Sequence, residues 1–211
     1  MEISKTSLLL FSPTGGTKRV AKYITEKIAI NGDYDIYDIT LDTHALINKT
    51  FYPGELLIVA FPVYGGRVPA PMVERMKTIR ADQTPVVLVA VFGNRAYDDA
   101  LLEAKSILSI CGFQTIAAGA FVAEHSVIRD FGKGRPDQSD TTVEKFFAKA
   151  ILEKLHKTEN ASALKEISVP GNKKYIKYNG IPLKPHTSSK CVRCGTCAKN
   201  CPMGVIPVSD P

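Results

Sequence analysis

The stretch Ser7-Leu8-Leu9-Leu10-Phe11-Ser12-Pro13-Thr14-Gly15-Gly16-Thr17 begins as an apolar run and ends in a loop of hydroxyls and glycines. Beyond it, apolar residues recur at helical spacing to about residue 28, so a buried strand passes through a tight turn into a helix. The alternation repeats along the chain. Strands are expected at residues 7–11, 34–39, 56–61, 86–92 and 115–122, and helices at about 17–28, 72–79, 98–111 and 141–155. Continuous apolar strands separated by helices make a parallel sheet covered on both faces, so the expected fold is α/β, doubly wound and five-stranded.

The chain has 211 residues, 45% of them hydrophobic, which suits one full core and an appendage. The N-terminal apolar run at residues 8–11 leads straight into Ser12-Pro13-Thr14, unlike a secretion signal, and residues 86–92 are too few to span a bilayer. Four of the five cysteines fall in one short segment, the pattern of metal-binding thiols in a reducing compartment. A cytoplasmic location follows as the expectation. Much of the net charge of +6 sits at Lys157, Lys165, Lys173, Lys174, Lys177, Lys184 and Lys190, opposed there only by Glu159 and Glu166. That stretch, residues 158–188, reads as a solvated basic linker and not as a nucleic-acid surface. Within it, Asn179-Gly180 between residues 175–178 and 181–183 could close a hairpin, although Pro182 weakens the second arm.

Ligands of open α/β sheets bind beyond the carboxyl ends of the strands, so the strand tips carry the functional expectation. The first tip, residues 12–17, offers three hydroxyls and two glycines at a helix N-terminus, a cradle for phosphate. It lacks both the Gly-Lys-Ser/Thr of a nucleotide P-loop and Gly-x-Gly-x-x-Gly, and a plain turn with Thr17 as helix cap is the competing reading. The third strand ends in Pro62-Val63-Tyr64-Gly65-Gly66-Arg67, the fourth in Gly93-Asn94-Arg95-Ala96-Tyr97. Read singly, the glycines are turns, the tyrosines half-buried aromatics and the arginines surface charge.

Together the three tips resemble those of the flavodoxins. Ser12, Thr14, Gly15, Gly16 and Thr17 match the flavodoxin loop that holds the phosphate of FMN. The resemblance implies strand order 2-1-3-4-5 and an isoalloxazine site formed by Pro62, Val63, Tyr64, Gly65, Gly66 and Arg67 with Gly93, Asn94, Arg95 and Tyr97. It gives Tyr97 the stacking role. It also implies that a peptide at Gly65 or Gly66 turns its carbonyl toward flavin N5, while Arg67 and Arg95 favour negative charge on the ring.

Cys191-Val192-Arg193-Cys194-Gly195-Thr196-Cys197-Ala198-Lys199-Asn200-Cys201-Pro202 has the spacing C-x₂-C-x₂-C-x₃-C-P of bacterial ferredoxins. Soft thiolates suit iron, and a structural zinc site uses two separated ligand pairs instead. Cys191, Cys194 and Cys197 are expected to hold one [4Fe-4S] cluster and Cys201 a ligand position of a second, whose remaining cysteines are expected in a second run. None follows before Pro211, so residues 189–211 read as the incomplete N-terminal part of a ferredoxin domain. Cys111, late in an apolar helix, reads as a core residue.

The whole chain resembles the flavodoxin/ferredoxin fusions called ferrodoxins, with the FMN half in residues 1–157. The resemblance implies electron transfer between FMN and two clusters, with protein redox partners that the sequence does not identify. A flavin-dependent quinone or NAD(P)H oxidoreductase and a redox-sensing scaffold are the alternatives. His125, in the loop after the fifth strand, lies on the ligand side and could approach the flavin edge, with a solvated loop histidine as the favoured alternative reading.

Overall fold

The longest apolar runs become the most deeply buried strands. The computed structural model describes residues 1–42, 44–181 and 185–207. Strands β1 (Lys5–Leu10), β2 (Asp35–Asp38), β4 (Glu55–Pro62), β6 (Thr84–Phe92) and β7 (Phe113–Val122) form one parallel sheet in the order β2-β1-β4-β6-β7. Counting these five alone, the order is the expected 2-1-3-4-5. Leu8 pairs with Ile58 and Ile58 with Val87, so equivalent side chains stack across the sheet and point to one face.

That face packs Leu8, Leu10, Ile58, Val87 and Val89 against Val20, Ala21 and Ile24 of α1 (Gly16–Ile28) and Ala148, Ile151 and Leu155 of α4 (Gln138–His156). On the opposite face, Leu9, Leu57, Val59 and Leu88 meet Met72 and Met76 of α2 (Ala70–Met76) and Ala104 and Leu108 of α3 (Ala100–Ile110). Cys111 lies in that second cluster, as expected of a core thiol, and burial pushes its pKa up. Helix α4 starts at a capping box of Asp137 and Asp140 and so begins before the expected residue 141. Helix α2 ends earlier than expected, because the chain leaves it for a two-residue strand, β5 (Arg80–Ala81), paired with β3 (Thr50–Phe51). Strands that short have no readable periodicity.

The larger departure is the segment after α4. Expected to be solvated, it wraps the β7 edge of the sheet. Leu164 is buried with the α1 and α4 face, the Ile167 amide donates to Thr115 O of β7 at 3.0 Å, and Val169 packs on the opposite face. The Ile167 bond satisfies one otherwise unpaired carbonyl on this edge strand. Residues 175–178 form no strand, and of the expected second arm, residues 181–183, residues 182 and 183 lie outside the described residues. The cysteine segment carries one short helix, α5 (Thr196–Lys199). Among the described residues no helix is long and apolar enough to cross a membrane.

Candidate cofactor cleft and cysteine segment

Strand order reverses between β1 and β4, and a doubly wound sheet opens its crevice at that point. The loop after β1 is drawn tight there. Gly15 takes a left-handed φ of 86°, the Ser12 amide donates to Thr40 Oγ1 at 2.8 Å, and the Lys18 amide donates to Ser12 Oγ at 3.0 Å. Ser12 thus supplies the first-turn cap in place of Thr17, which is buried. Among the described residues the amides of Thr14, Gly16 and Thr17 meet no acceptor within the protein. Free donors converging at a helix N-terminus suit a phosphate.

The second tip is a two-residue turn. Tyr64 and Arg67 exchange backbone hydrogen bonds of 3.0 and 3.2 Å, and Gly65 and Gly66 between them hold φ of 57° and 80°. Only glycine takes two such values in succession without strain. The Gly66 carbonyl accepts from the Asp99 amide at 3.0 Å, whereas no hydrogen bond to the Gly65 carbonyl is formed among the described residues. Of the two peptides proposed to turn, the one after Gly65 is therefore the freer.

In the third tip, Asn94 and Asp98 are left-handed, and Arg95 pairs with Asp98 at 2.6 Å. A fourth tip, the loop after β7, closes the other side. His125 Nδ1 accepts from the amides of Val127 at 3.1 Å and Ile128 at 3.0 Å, which leaves the ring proton on Nε2. Its ring covers Gly93, where a Cβ would come within 2.4 Å of it.

These tips enclose an open cleft of about 700 Å³ lined by Thr14, Gly16, Thr17, Pro62, Val63, Tyr64, Gly65, Gly93 and Arg95 among the expected residues. Burial raises the pKa of the Tyr64 phenol. Ser12, Gly15, Gly66, Arg67, Asn94 and Tyr97 of the expected set are not among the lining residues, and the side chains of Tyr97 and Arg67 are engaged elsewhere. Tyr97 packs edge-on against Phe92 with centroids 5.6 Å apart and sits on the core, because the left-handed residues flanking it turn the loop inward. Arg67 is held by Glu103 through contacts of 2.6 and 2.8 Å, so its charge is already balanced by a buried carboxylate. Residues that sequence reasoning passed over take their place: Ile176, Lys177, Tyr178, Asn179, Gly180 and Ile181 line the cleft. Two tyrosines at 175 and 178 in an otherwise polar, basic stretch were the signal for them.

Cys197 lies in α5, and Cys191, Cys194 and Cys201 lie in irregular chain on either side of it. Cys191, Cys194 and Cys197 are exposed and Cys201 is half-buried. The hydroxyl of Thr196, 3.2 Å from Cys194 Sγ, lowers that thiol's pKa, and backbone amides from Val205 and its neighbours lower that of Cys201. Amides turned toward a sulfur favour the thiolate that iron requires. Among the described residues no three metal-ligating side chains are yet gathered on one point. The segment is tied to the sheet domain where Arg75 donates to Pro202 O at 2.6 Å and to Thr40 O at 2.9 Å.

Comparison with known proteins adds to this geometry. Residues 186–206 match the family model described as a 4Fe-4S binding domain. The flavodoxin of Streptococcus pneumonia TIGR4 superposes with a TM-score of 0.50 at 16% identity, over 72% of this chain and 99% of its own. The chain joins a flavodoxin-like fold to a 4Fe-4S segment. The same fold appears in the rubredoxin oxygen:oxidoreductase of Desulfovibrio gigas, with a TM-score of 0.51 at 16% identity over 74% of this chain and 37% of that one. An NADH:FMN oxidoreductase also shares it, with a TM-score of 0.51 at 13% identity over 77% of this chain and 94% of that one. No curated protein matches the sequence. A flavodoxin-like fold and a 4Fe-4S segment on one chain support redox electron transfer as its chemistry.

Proposed function

We propose that the chain is a cytoplasmic fusion electron carrier that binds FMN in the cleft and [4Fe-4S] clusters on the cysteine run. The observation that carries the flavin half is the loop at the switch point, where Thr14, Gly16 and Thr17 line the cleft and their amides meet no acceptor among the described residues. Thr14, Gly16 and Thr17 would hold the phosphate through these donors, while Val63, Tyr64 and Gly65 on one side and Gly93 and His125 on the other would bound the ring. The ring would be bounded by apolar and aromatic walls, the His125 imidazole and Lys177, while Arg95, paired with Asp98, would add little net field. In the second half, Cys191, Cys194 and Cys197 are assigned to one cluster and Cys201 to another by spacing. FMN exchanges one or two electrons and a [4Fe-4S] cluster one, so the pair converts between one- and two-electron partners.

Anaerobic reconstitution with FMN, iron and sulfide tests this. The expected result is one FMN per chain, an iron-sulfur EPR signal on reduction, and bleaching of flavin when electrons enter through the cluster. Binding of FMN that is unchanged in Thr14→Pro, which removes one of these amide donors, or absent from the wild type, refutes the assignment of the phosphate loop.

A further inference from the structure

Asp99 stands at the N-cap of α3, yet its carboxylate makes no capping hydrogen bond to its own helix. An aspartate there ordinarily accepts from the second or third helical amide. Here Oδ1 accepts from the Asn172 amide at 2.7 Å and from Asn172 Nδ2 at 3.1 Å, while Oδ2 accepts from the Ile176 amide at 2.6 Å. The residue is 1% exposed. A buried carboxylate satisfied by three donors from a distant segment is a latch, and its partners hold its pKa below the ordinary value.

Other contacts fasten the same segment. Arg67 donates to Ile176 O at 2.9 Å, and its guanidinium lies 4.8 Å from the centre of the Tyr175 ring. Gly171 lies so close to Leu102 that a Cβ would approach it to 2.6 Å, and Tyr178 covers Gly65 so closely that a Cβ there would meet its ring at 2.0 Å. Residues 172–181 therefore form a docked strap that ends at the cleft. A strap serving stability alone would bury its apolar groups. This one leaves Ile176, Tyr178 and Ile181 between 42% and 54% exposed, at the cleft that they line.

We infer that the strap is the outer wall of the flavin site, with Tyr178 supplying the aromatic surface expected of Tyr97 and Asp99 acting as the positioning residue that sets Tyr178 in place. The inference rests on the FMN reading above. It makes flavin affinity depend on residues beyond the sheet domain, between it and the cysteines. Lys177 places one positive charge at the same wall, suited to an anionic ligand.

The test uses the full chain with FMN as probe, read by quenching of flavin fluorescence. Tyr178→Ala should weaken binding roughly tenfold, the scale of one lost aromatic stacking contact, and Tyr178→Phe should restore it to within about twofold. Tyr52→Ala, an exposed tyrosine away from the cleft, is the control that should leave affinity unchanged. Asp99→Asn keeps the size of a side chain that makes no cap bond to its own helix but replaces an acceptor oxygen with a donor, so FMN should bind more weakly. Without FMN, trypsin should then cut faster at Lys173, Lys174 and Lys177 than in the wild type. If the wild type binds FMN and Tyr178→Ala binds it equally tightly, the inference falls and the FMN reading stands. If the wild type takes up no FMN, both fall. Equal trypsin cleavage of Asp99→Asn and the wild type overturns the latch.

Discussion

Glu144→Gln should abolish most of the pH dependence of stability between pH 5 and 8. Glu144 lies on the inner face of α4, is 1% exposed, and has no hydrogen-bond partner for Oε1. Burial, then the like charge of Asp140, pushes its pKa from 4.5 up to about 7, with Arg19 pulling the other way. The folded state thus keeps a proton that the unfolded chain releases above about pH 4.5. The associated stability is present in full below 4.5, declines as pH rises, and is lost above about 7. At about 1.4 kcal/mol per tenfold, holding the carboxyl near 7 instead of 4.5 costs the ionised form on the order of 3 kcal/mol. Glutamine is neutral throughout, so at pH 8 the variant should be the more stable by up to about that amount, a rise of roughly 5–10 °C in a chain of this size. Depressed carboxyls such as Asp38 and Asp99 act in the opposite sense and at lower pH, leaving the window to Glu144. Circular dichroism melts at half-unit intervals from pH 5 to 8.5 measure it. Parallel Tm profiles for the two proteins would refute the reasoning.

Glu103→Ala leaves the Arg67 guanidinium partly buried without its carboxylate, and should cost about 2–3 kcal/mol in urea denaturation while speeding trypsin cleavage of the strap. Gly112→Ala forces a Cβ to within 2.1 Å of the Ala81 carbonyl at φ 94° and should destabilise by more than about 2 kcal/mol. Gly134→Ala, at φ 76° with nothing within 4 Å, should cost only about 1 kcal/mol. Arg75→Met removes the donors to Thr40 O and Pro202 O, so hydrogen exchange should quicken around residues 202–206 while FMN affinity changes by less than about twofold.

What could be read in advance and what could not divide along physical lines. Residues 56–61 and 86–92 announce buried parallel strands because covering on both faces demands unbroken apolar runs, and β4 and β6 are such strands. Ser12 and the two glycines mark the loop at the switch point for an equally local reason. Side-chain direction in an irregular loop is not local. Tyr97 turns inward because Asn94 and Asp98 adopt left-handed backbone, and nothing in a spacing argument distinguishes that from an outward ring. The pairing of Arg67 is hidden for the same reason, because Glu103, which neutralises it, comes from a helix 36 residues further along the chain. The strap was hidden by composition. Its lysines are exposed, as a linker's are, but its docking depends on backbone amides offered to Asp99, and every sequence has amides.

The two redox segments are joined in a way that bears on how tightly they need to dock. Ile181 lines the cleft, and Cys191 follows ten residues later. Even a fully extended chain covers at most about 3.6 Å per residue, so the first cysteine stays within roughly 36 Å of the cleft wall. A tether of that length corresponds to an effective concentration in the millimolar range. At such a concentration even a weak contact is occupied much of the time, so a small attachment such as that of Arg75 to Pro202 O suffices to keep the two segments together. Thr40, which Arg75 also holds, receives the Ser12 amide of the phosphate loop, so this attachment reaches the ligand edge of the sheet by two hydrogen bonds. Weak docking also has a use in an electron carrier. On the proposed reading, a cluster fixed permanently against the flavin could not present itself to a partner, whereas a segment whose hold on the sheet domain is the Arg75 contact to Pro202 would be able to do so.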